Sequence, residues 1–494
     1  MSTDIETLPA AGALLGAVHE LRQAVAGEGR ELWRGWRIGG RRSFRISALN
    51  FAHYLALRRR DLQTLQSDLM PYGLSSLGRL EGRVLANLDA VIGALTVLTG
   101  GVAPHYPRRR AFFRGERLLQ ANADELFGPR RQGPRDTRII VTLPSEAAGS
   151  PDLMTALLRN GADVVRINCA HDSPEIWSAM IRNLRIAETA TGRTARILAD
   201  LGGPKVRTGE VRAAPASKRL FEGDELLLTA GPLSSTEDHR HQAACEPAEI
   251  LGRLAKGDPV FMDDGKLSGV VERLEEAGAV VRVLRTGPNG LKLKPEKGLN
   301  FPATDLGLLA LTQEDKSSLD FIAGHADLVG YSFVQSGADI RLLQDELAKR
   351  RPDDWMEIGL IAKIETPVAV RNLPDIIIQA ASRQPFGVMI ARGDLAVEIG
   401  FERLAEMQEE ILWLCEAAHV PVIWATQVLE SLVKNGLPTR GDMTDAAMSG
   451  RAECVMLNKG PYVADAVAML DRLLIRMAGN QTKKTPKLRA LRSW

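Results

Sequence analysis

The sequence is poor in aromatic residues and in cysteine, and it lacks long apolar runs. Only 5% of its 494 residues are Phe, Trp or Tyr, and its four cysteines stand far apart without a CxxC pair. Scattered cysteines exclude a disulfide scaffold and a zinc ribbon and are typical of a reducing compartment, so we expect a cytoplasmic protein. The first residues show no basic segment followed by an apolar run, which argues against a signal peptide. The most apolar window, residues 84–103, contains Asn87 and Asp89, so we expect no membrane span.

Lysine is missing from the first 135 residues, which contain 20 arginines and 12 acidic residues. This part therefore carries a net charge of +8 and leaves −6 for the remainder, because the whole chain carries +2. A basic segment of this kind could bind RNA, phosphate or an acidic surface. No RNA-binding motif is present and aromatic residues do not interleave with the basic runs, so we expect no nucleic-acid partner. The favoured interpretation is a helical appendage whose arginines dock on the acidic remainder.

Residues 1–135 have the periodicity of a helical N-terminal extension. Apolar residues recur at helical spacing in segments 14–25, 48–69 and 80–98, and each segment predicts a helix. Residues 128–135 are dense in proline, glycine and charge, which is typical of a linker.

After residue 135 the pattern changes to short apolar strands that alternate with helices. Such alternation implies parallel strands with crossover helices, and eight repeats suggest a (β/α)8 TIM barrel with its chemistry at the carboxyl ends of the strands. The barrel is assigned to residues 136–208 and 298–478, and residues 479–494 to a C-terminal tail. The predicted strands are residues 138–143, 164–169, 197–201, 327–333, 358–364, 387–391, 421–425 and 454–457.

Residues 209–297 interrupt this series with short strands and turn signals. They predict a small all-β domain inserted after the third strand of an α/β barrel. An insertion at the catalytic face is placed to act as a lid that closes over substrate and excludes water.

Polar side chains stand at the ends of five predicted strands. Lys363 and Glu365 alternate on one strand and therefore share a face. Glu365 and Asp394 suit a hard divalent ion that keeps most of its waters. Arg166 and Lys363 suit a phosphate and the charge that develops during its transfer. Each residue alone is more often structural, but their joint placement predicts a metal-dependent enzyme that acts on an anionic, phosphorylated small molecule.

Seven segments resemble one known family. They are RINCAH (166–171), LADLGGPKVRTG (198–209), FMDDGK (261–266), KGLNFP (297–302), IAKIET (361–366), MIARGDLAVEI (389–399) and ATQVLESLVKNGLPTRGD (425–442). From about residue 138 to 474 the chain resembles pyruvate kinase. The resemblance implies a glycolytic enzyme, a homo-oligomer, that uses Mg²⁺ or Mn²⁺ to transfer a phosphoryl group from phosphoenolpyruvate to ADP, giving pyruvate and ATP.

The resemblance also implies a role for each matching residue. Lys363, Arg166 and Thr426 would be catalytic, and Glu365 and Asp394 would hold the metal. The residues that would bind the substrate are Ala391, Arg392, Gly393, Asp394 and Asn168. Those that would meet the nucleotide as the lid closes are Arg207, Lys297 and His171.

The chain departs from the family at the potassium site. Asn168 and Asp200 persist there, but Ala170 replaces a serine, and Lys205 stands where potassium-dependent members commonly have glutamate. We therefore expect Lys205 to supply the positive charge, and expect that potassium is not required. The opposing interpretation is that Lys205 points to solvent and a weakened potassium site persists.

Two further departures concern the eighth strand and the chain end. The eighth strand ends in Asn458, Lys459 and Gly460 without the family's glutamate, which predicts that Arg166 is short of a partner. The short tail leaves no room for the family's effector domain, so we expect no activation by sugar phosphates at the usual site. The main alternative is a catalytically impaired, pyruvate-kinase-like binding or regulatory protein. A third is another enolpyruvate- or oxaloacetate-type enzyme on this barrel.

Overall fold

A computed structural model describes residues 10–486, except residues 37, 75, 103, 132, 216 and 234–239. Eight parallel strands form a closed barrel in which each strand pairs with its neighbours along the chain and the first pairs with the eighth. The predicted TIM barrel is thereby confirmed. From first to eighth, the strands are Arg138–Thr142, Val164–Asn168, Arg196–Asp200, Leu328–Tyr331, Gly359–Ile364, Phe386–Ala391, Val422–Ala425 and Cys454–Leu457.

Helices connect the strands and cover the outside of the barrel. Hydroxyl side chains begin several of them: Thr312, Ser336 and Thr439 each form a capping box with an aspartate three residues later. The longer helices are Pro151–Asn160, Pro174–Thr191, Gln313–His325, Gly337–Arg350, Leu373–Ala381, Phe401–Ala417, Arg440–Ser449 and Val463–Ala478. Shorter helices span Pro367–Arg371, Arg392–Ile399 and Glu430–Asn435.

The predicted insert after the third strand is a small β structure with its own apolar core. Backbone hydrogen bonds join the segment that enters this insert to the segment that leaves it. The Thr208 amide donates to the Lys297 carbonyl at 2.8 Å, and the Leu299 amide donates to the Val206 carbonyl at 2.9 Å. The sheet consists of Arg207–Arg212, Glu225–Thr229, His241–Glu246, Pro259–Met262, Leu267–Glu275, Gly278–Thr286 and Leu299–Asn300, and a small second sheet pairs Arg219–Leu220 with Leu291–Lys292. Both connections to the barrel therefore lie side by side.

The N-terminal region is helical, but its predicted second helix is wrong in extent. Helix Phe44–Leu57 ends at a turn, and helix Gln63–Leu69 begins only after Asp61, whose Oδ1 accepts a hydrogen bond from the Gln63 amide at 2.9 Å. Aspartate at such a position favours a new helix start over continuation. The other helices are Ala11–Gly35, Val84–Leu98, Arg109–Phe112 and Arg114–Phe127, with 3₁₀ turns at Met70–Tyr72, Ser76–Arg79 and Glu81–Arg83. No helix among the described residues is long and apolar enough to cross a membrane.

Helix Arg114–Phe127 closes the amino-terminal end of the barrel. Its residues Ala123, Leu126 and Phe127 pack in one apolar cluster with the inward-facing side chains of the barrel strands. Gly359 and Gly387 lie close to Leu126, because a Cβ on either glycine would approach its methyl groups to 2.8 and 3.2 Å. This contact is apolar and not a meeting of arginines with acids.

The arginines of the N-terminal region have two kinds of partner. Arg131 and Arg135 pair with Asp163 at the start of the second strand, at 2.6 and 2.9 Å, so the segment predicted as a linker is packed on the barrel. Other arginines pair within the N-terminal region itself, as Arg22 does with Asp89 at 2.8 Å. Docking on acids of the barrel therefore involves a minority of these arginines.

Candidate functional site

Arg166 lies at the carboxyl ends of the strands, between the first and third strands. Its Nε donates to Oδ2 of Asp200 at 2.8 Å, and its Nη1 donates to Oγ1 of Thr142 at 3.2 Å. The register places Thr142 opposite Arg166 and, two residues further along the strands, Asn168 opposite Asp200, so all four lie at the carboxyl ends of the first three strands. The prediction that Arg166 is short of a partner is therefore wrong, because the neighbouring strands supply the acceptors that the eighth strand lacks.

Lys363 is the centre of the charge network. Its Nζ donates to Oγ of Ser332 at 2.6 Å and lies 3.1 Å from Oε1 of Glu365 and 3.6 Å from Oδ2 of Asp200. Burial disfavours a charged amine, but the two carboxylates outweigh it and raise the pKa of Lys363. Burial likewise opposes ionisation of Asp200, yet Arg166 and Lys363 lower its pKa. The site thus holds fixed positive charge on largely buried side chains.

Glu365 and Asp394 are the two carboxylates with the donor chemistry for a metal. Burial raises the pKa of Glu365, Lys363 opposes that effect, and the nearby charge of Asp394 adds to it. A divalent cation would relieve this repulsion, so the donor set fits Mg²⁺. Within the described residues there is no group of three or more His, Cys, Asp or Glu suited to a metal. Most of the shell of such an ion would then come from water and substrate oxygens.

Lys205 does not point to solvent. Its Nζ lies 2.7 Å from Oδ1 of Asp394, and 20% of its side chain is exposed. Gly298, in the segment that returns from the insert, lies against the Lys205 side chain: a Cβ there would be 2.9 Å from Cε. Lys205 is therefore held between the insert and the carboxylate predicted to bind metal.

Thr426 and the start of helix Arg392–Ile399 are fastened to each other. Thr426 has a left-handed backbone (φ 64°), and its Oγ1 accepts from the Gly393 amide at 3.0 Å and donates to the Ala425 carbonyl at 2.7 Å. Arg392 donates to the same carbonyl at 2.7 Å and pairs with Asp445. A non-glycine residue with positive φ is strained, and such strain is concentrated at functional sites. The junction of strand and helix at Ala391–Asp394 is thus held beside Thr426.

The residues predicted to meet a nucleotide lie around the insert. Lys297 Nζ is 2.8 Å from Oδ1 of Asp263, and Arg207 Nη1 donates to the Glu296 carbonyl at 3.4 Å. His171 is exposed, and burial of part of its ring together with the charges of Lys459 and Arg207 lowers its pKa. Lys297, Arg207 and Lys459 are basic, and such groups favour binding of an anionic ligand beside the insert.

Sequence reasoning missed three residues of this site: Thr142, Ser332 and Asp445. Ser332 had a detectable signal, because it stands at the end of the fourth predicted strand, where no functional residue was assigned. Thr142 contacts Arg166, and Asp445 contacts Arg392. Both arginines are far away in sequence, so no local pattern identifies Thr142 or Asp445.

The family model and the relatives that match this chain are those of pyruvate kinase. The family model of the pyruvate kinase barrel domain matches residues 134–467. Pyruvate kinase of Mycobacterium intracellulare is 33% identical over 362 residues, which cover 71% of this chain and 72% of the relative. Pyruvate kinase PKLR of Rattus norvegicus is 30% identical over 381 residues (73% and 64%), and pyruvate kinase of Hypocrea jecorina is 32% identical over 364 residues (70% and 63%). The match to the family model leaves out residues 1–133.

Proposed function

Because the chain belongs to the pyruvate kinase family, a family of phosphotransferases, we propose that it transfers the phosphoryl group of phosphoenolpyruvate to ADP. The products are pyruvate and ATP, and the reaction is that of glycolysis in the cytoplasm. The observation that supports this most is the position of Lys363, a buried ammonium held between Glu365, Asp200 and Ser332 at the end of the fifth strand. The four unpaired cysteines agree with a reducing compartment.

Lys363 and Arg166 provide the positive charge that phosphoryl transfer needs. In such a reaction the bond from phosphorus to the enol oxygen breaks, a bond to an oxygen of ADP forms, and negative charge spreads over the equatorial oxygens. Lys363 neutralises that charge, and Arg166, oriented by Asp200 and Thr142, holds the phosphate. Groups fixed in place before the reaction need no reorganisation during it, which is the source of their effect on rate.

Glu365 and Asp394 are the residues that would hold Mg²⁺ or Mn²⁺. A bound divalent ion would neutralise oxygens of the substrate carboxylate and phosphate. The Ala391–Asp394 backbone and Thr426 position the substrate, together with Asn168 at the end of the second strand. The enolate carbon that remains after transfer takes a proton to give pyruvate, and the role assigned to the Thr426 hydroxyl is to orient the proton donor.

We further propose that potassium is dispensable. The Lys205 ammonium, paired with Asp394, adds a permanent positive charge to the site. Oδ1 of Asp200 is buried and has no hydrogen-bond donor among the described residues, and Ala170 and Leu201 offer no hydroxyl nearby. This oxygen is where a residual cation site would lie if Lys205 does not replace potassium.

The residues predicted to bind nucleotide, Arg207, Lys297 and His171, belong to the same proposal. Arg207 and Lys297 stand on the insert, so a closing movement would carry them towards the barrel. The Asn300 amide already donates to Oε1 of Glu398 at 3.0 Å and ties the returning segment to the barrel. This hydrogen bond supports the proposal that the insert would close over the barrel near Asp394 and Lys205.

A coupled assay tests the proposal. Purified protein with phosphoenolpyruvate, ADP and Mg²⁺ should release pyruvate, followed by its reduction with lactate dehydrogenase and NADH. The competing hypothesis of an impaired binding protein rests on the altered eighth strand, but Arg166 has its partners elsewhere. A folded protein that gives no pyruvate at saturating substrate and metal would overturn the proposal and leave the binding protein as the better interpretation.

A further inference from the structure

A separate cavity of about 220 Å³ lies at the end of the barrel opposite Lys363. It is lined by residues that precede the first and eighth strands, among them Thr137 and Glu453, which places it at the amino-terminal end of the barrel. Helix Arg114–Phe127 and the hairpin of Gln481–Thr482 with Thr485–Pro486 contribute to its walls. Catalytic groups of such barrels lie at the other end, so this cavity is outside the proposed active site.

Most charged residues around this cavity have a partner. Arg130 pairs with Asp136, Arg451 with Glu409, and Glu116 with Arg83. The two lysines of the hairpin are also engaged: Lys483 pairs with Glu453, and Lys484 pairs with Glu81.

Glu416 is the carboxylate left over. Glu416 lines the cavity, and within the described part of the chain its side-chain carboxylate forms neither an ion pair nor a hydrogen bond, whereas its backbone carbonyl accepts from the His419 amide at 3.1 Å. Glu416 forms a charge cluster with the two ion pairs of the hairpin, Lys483 with Glu453 and Lys484 with Glu81. The three carboxylates and two ammonium groups of this cluster leave one uncompensated negative charge at high pH. Such a group attracts a cation.

The position of Glu416 disfavours the ionised carboxylate, so this side chain is a poor choice for stabilising the fold. It lies in the last turn of helix Phe401–Ala417, where the partial negative charge of the helix end disfavours a carboxylate. Burial, opposed by Lys483 and reinforced by Glu81, raises the pKa of Glu416 to about 7. A strongly perturbed carboxylate that faces a cavity is a candidate for ligand binding.

The walls of the cavity narrow the class of ligand. Leu119, Leu474 and Met477 present apolar surface beside the carboxylate. A metal ion would need more oxygen donors, and the described residues contain no group of three or more His, Cys, Asp or Glu suited to one. We propose that this cavity binds a small organic ammonium ion, with its nitrogen on Glu416 and its alkyl part against Leu119, Leu474 and Met477.

Isothermal titration calorimetry of the full chain at pH 8 tests this proposal, with n-butylammonium chloride as the probe and n-butanol as its neutral counterpart. The wild type should bind n-butylammonium with a dissociation constant in the millimolar range, whereas n-butanol should bind at least about tenfold more weakly, because it lacks the charge. Glu416→Gln keeps the shape but removes the charge, and it should weaken n-butylammonium binding by at least about tenfold. Glu406→Gln, on the exposed side of the same helix, should bind like the wild type.

The outcomes separate this site from other cation sites. Equal binding to wild type and Glu416→Gln would place the ion elsewhere, for example near Asp200, and overturn the proposal. No saturable binding by the folded wild type up to about 100 mM would overturn it as well. A thermal melt of Glu416→Gln confirms that the variant is folded. Because binding is measured without turnover, the result is independent of whether the protein has pyruvate kinase activity.

Discussion

The ammonium of Lys205 lies 2.7 Å from Oδ1 of Asp394, so a lysine from the loop after the third strand neutralises a carboxylate that would hold the metal. This pair joins the proposed metal site to the point where the insert meets the barrel. It also places a permanent positive charge near the site proposed for the substrate phosphate. At an effective dielectric constant near 20, a unit charge about 4 Å away contributes roughly 4 kcal/mol, a scale sufficient to replace a bound monovalent cation.

The first prediction concerns potassium. In a buffer free of potassium and sodium, with a bulky organic counter-ion, the wild type should keep turnover within about threefold of its value in potassium, a difference below about 1 kcal/mol. Lys205→Glu should lose most activity there and regain part of it when potassium is added, because a carboxylate restores the need for a cation. Steady-state rates of pyruvate formation measure both effects.

The control for this substitution is Lys218→Glu, which changes the same charge at an exposed position of the insert. It should leave the potassium response unchanged. A wild type that stays silent until potassium is added would show that Lys205 does not replace the ion.

The second prediction concerns Lys363. Lys363→Met removes the ammonium between Glu365 and Asp200 and should lower turnover by about 10² to 10³, equivalent to roughly 3–4 kcal/mol of transition-state stabilisation. The comparison variant is Lys434→Met, since Lys434 forms a surface pair with Glu430 and its side chain is 59% exposed. Turnover of Lys363→Met above about a tenth of the wild-type value would exclude the assigned role.

The third prediction concerns Glu365. Glu365→Gln removes one of the two carboxylates that would hold the metal, so the Mg²⁺ concentration for half-maximal rate should rise by about tenfold or more. Titration of the rate with Mg²⁺ at saturating phosphoenolpyruvate measures this shift. A lower maximal rate with an unchanged Mg²⁺ requirement would mean that Glu365 acts chiefly on Lys363.

The fourth prediction concerns the helix that closes the amino-terminal end of the barrel. Leu126 is 1% exposed and packs with the inward-facing apolar residues, so Leu126→Ala should lower the free energy of unfolding by about 2–5 kcal/mol. Leu98→Ala makes the same change at a residue that is 55% exposed and should shift stability by about 0.5 kcal/mol or less. Urea unfolding of both variants measures the difference. Equal effects would mean that the N-terminal region does not support the barrel.

The fifth prediction concerns pH and Glu416. Because the folded-state pKa of Glu416 is raised from 4.5 to about 7, the stability that Glu416 contributes is fully present below pH 4.5 and is lost as the pH rises through 7. Glu416→Gln removes this loss and should be more stable than the wild type at pH 8, by an amount on the order of 3 kcal/mol, with little difference at pH 4.5. Urea unfolding at the two pH values measures the change. A Glu416→Gln advantage that is the same at both would show that ionisation is not the cause.

Much of the site could be predicted from the sequence because parallel strands carry their chemistry at one end. Once eight strands are recognised, the residues that end them must meet, as Arg166, Lys363 and Asp200 do. The alternation of strands and helices likewise determined the barrel and the inserted β structure. These features follow from periodicities of about two and 3.6 residues, which are local properties of the chain.

Tertiary structure decided which of these groups became partners. Arg166 pairs with Asp200 and Thr142, where the altered eighth strand suggested a missing partner. Lys205 forms an ion pair with Asp394. Helix Arg114–Phe127 fills the amino-terminal end of the barrel with apolar side chains, whereas the sequence predicted that arginines of the N-terminal region dock on acidic residues. Each of these contacts joins segments far apart in sequence, and its geometry depends on strand register, on the path of the insert and on how volumes fill the core. Local pattern carries no information about such distances, so it identified the reacting groups but not the partners that orient them.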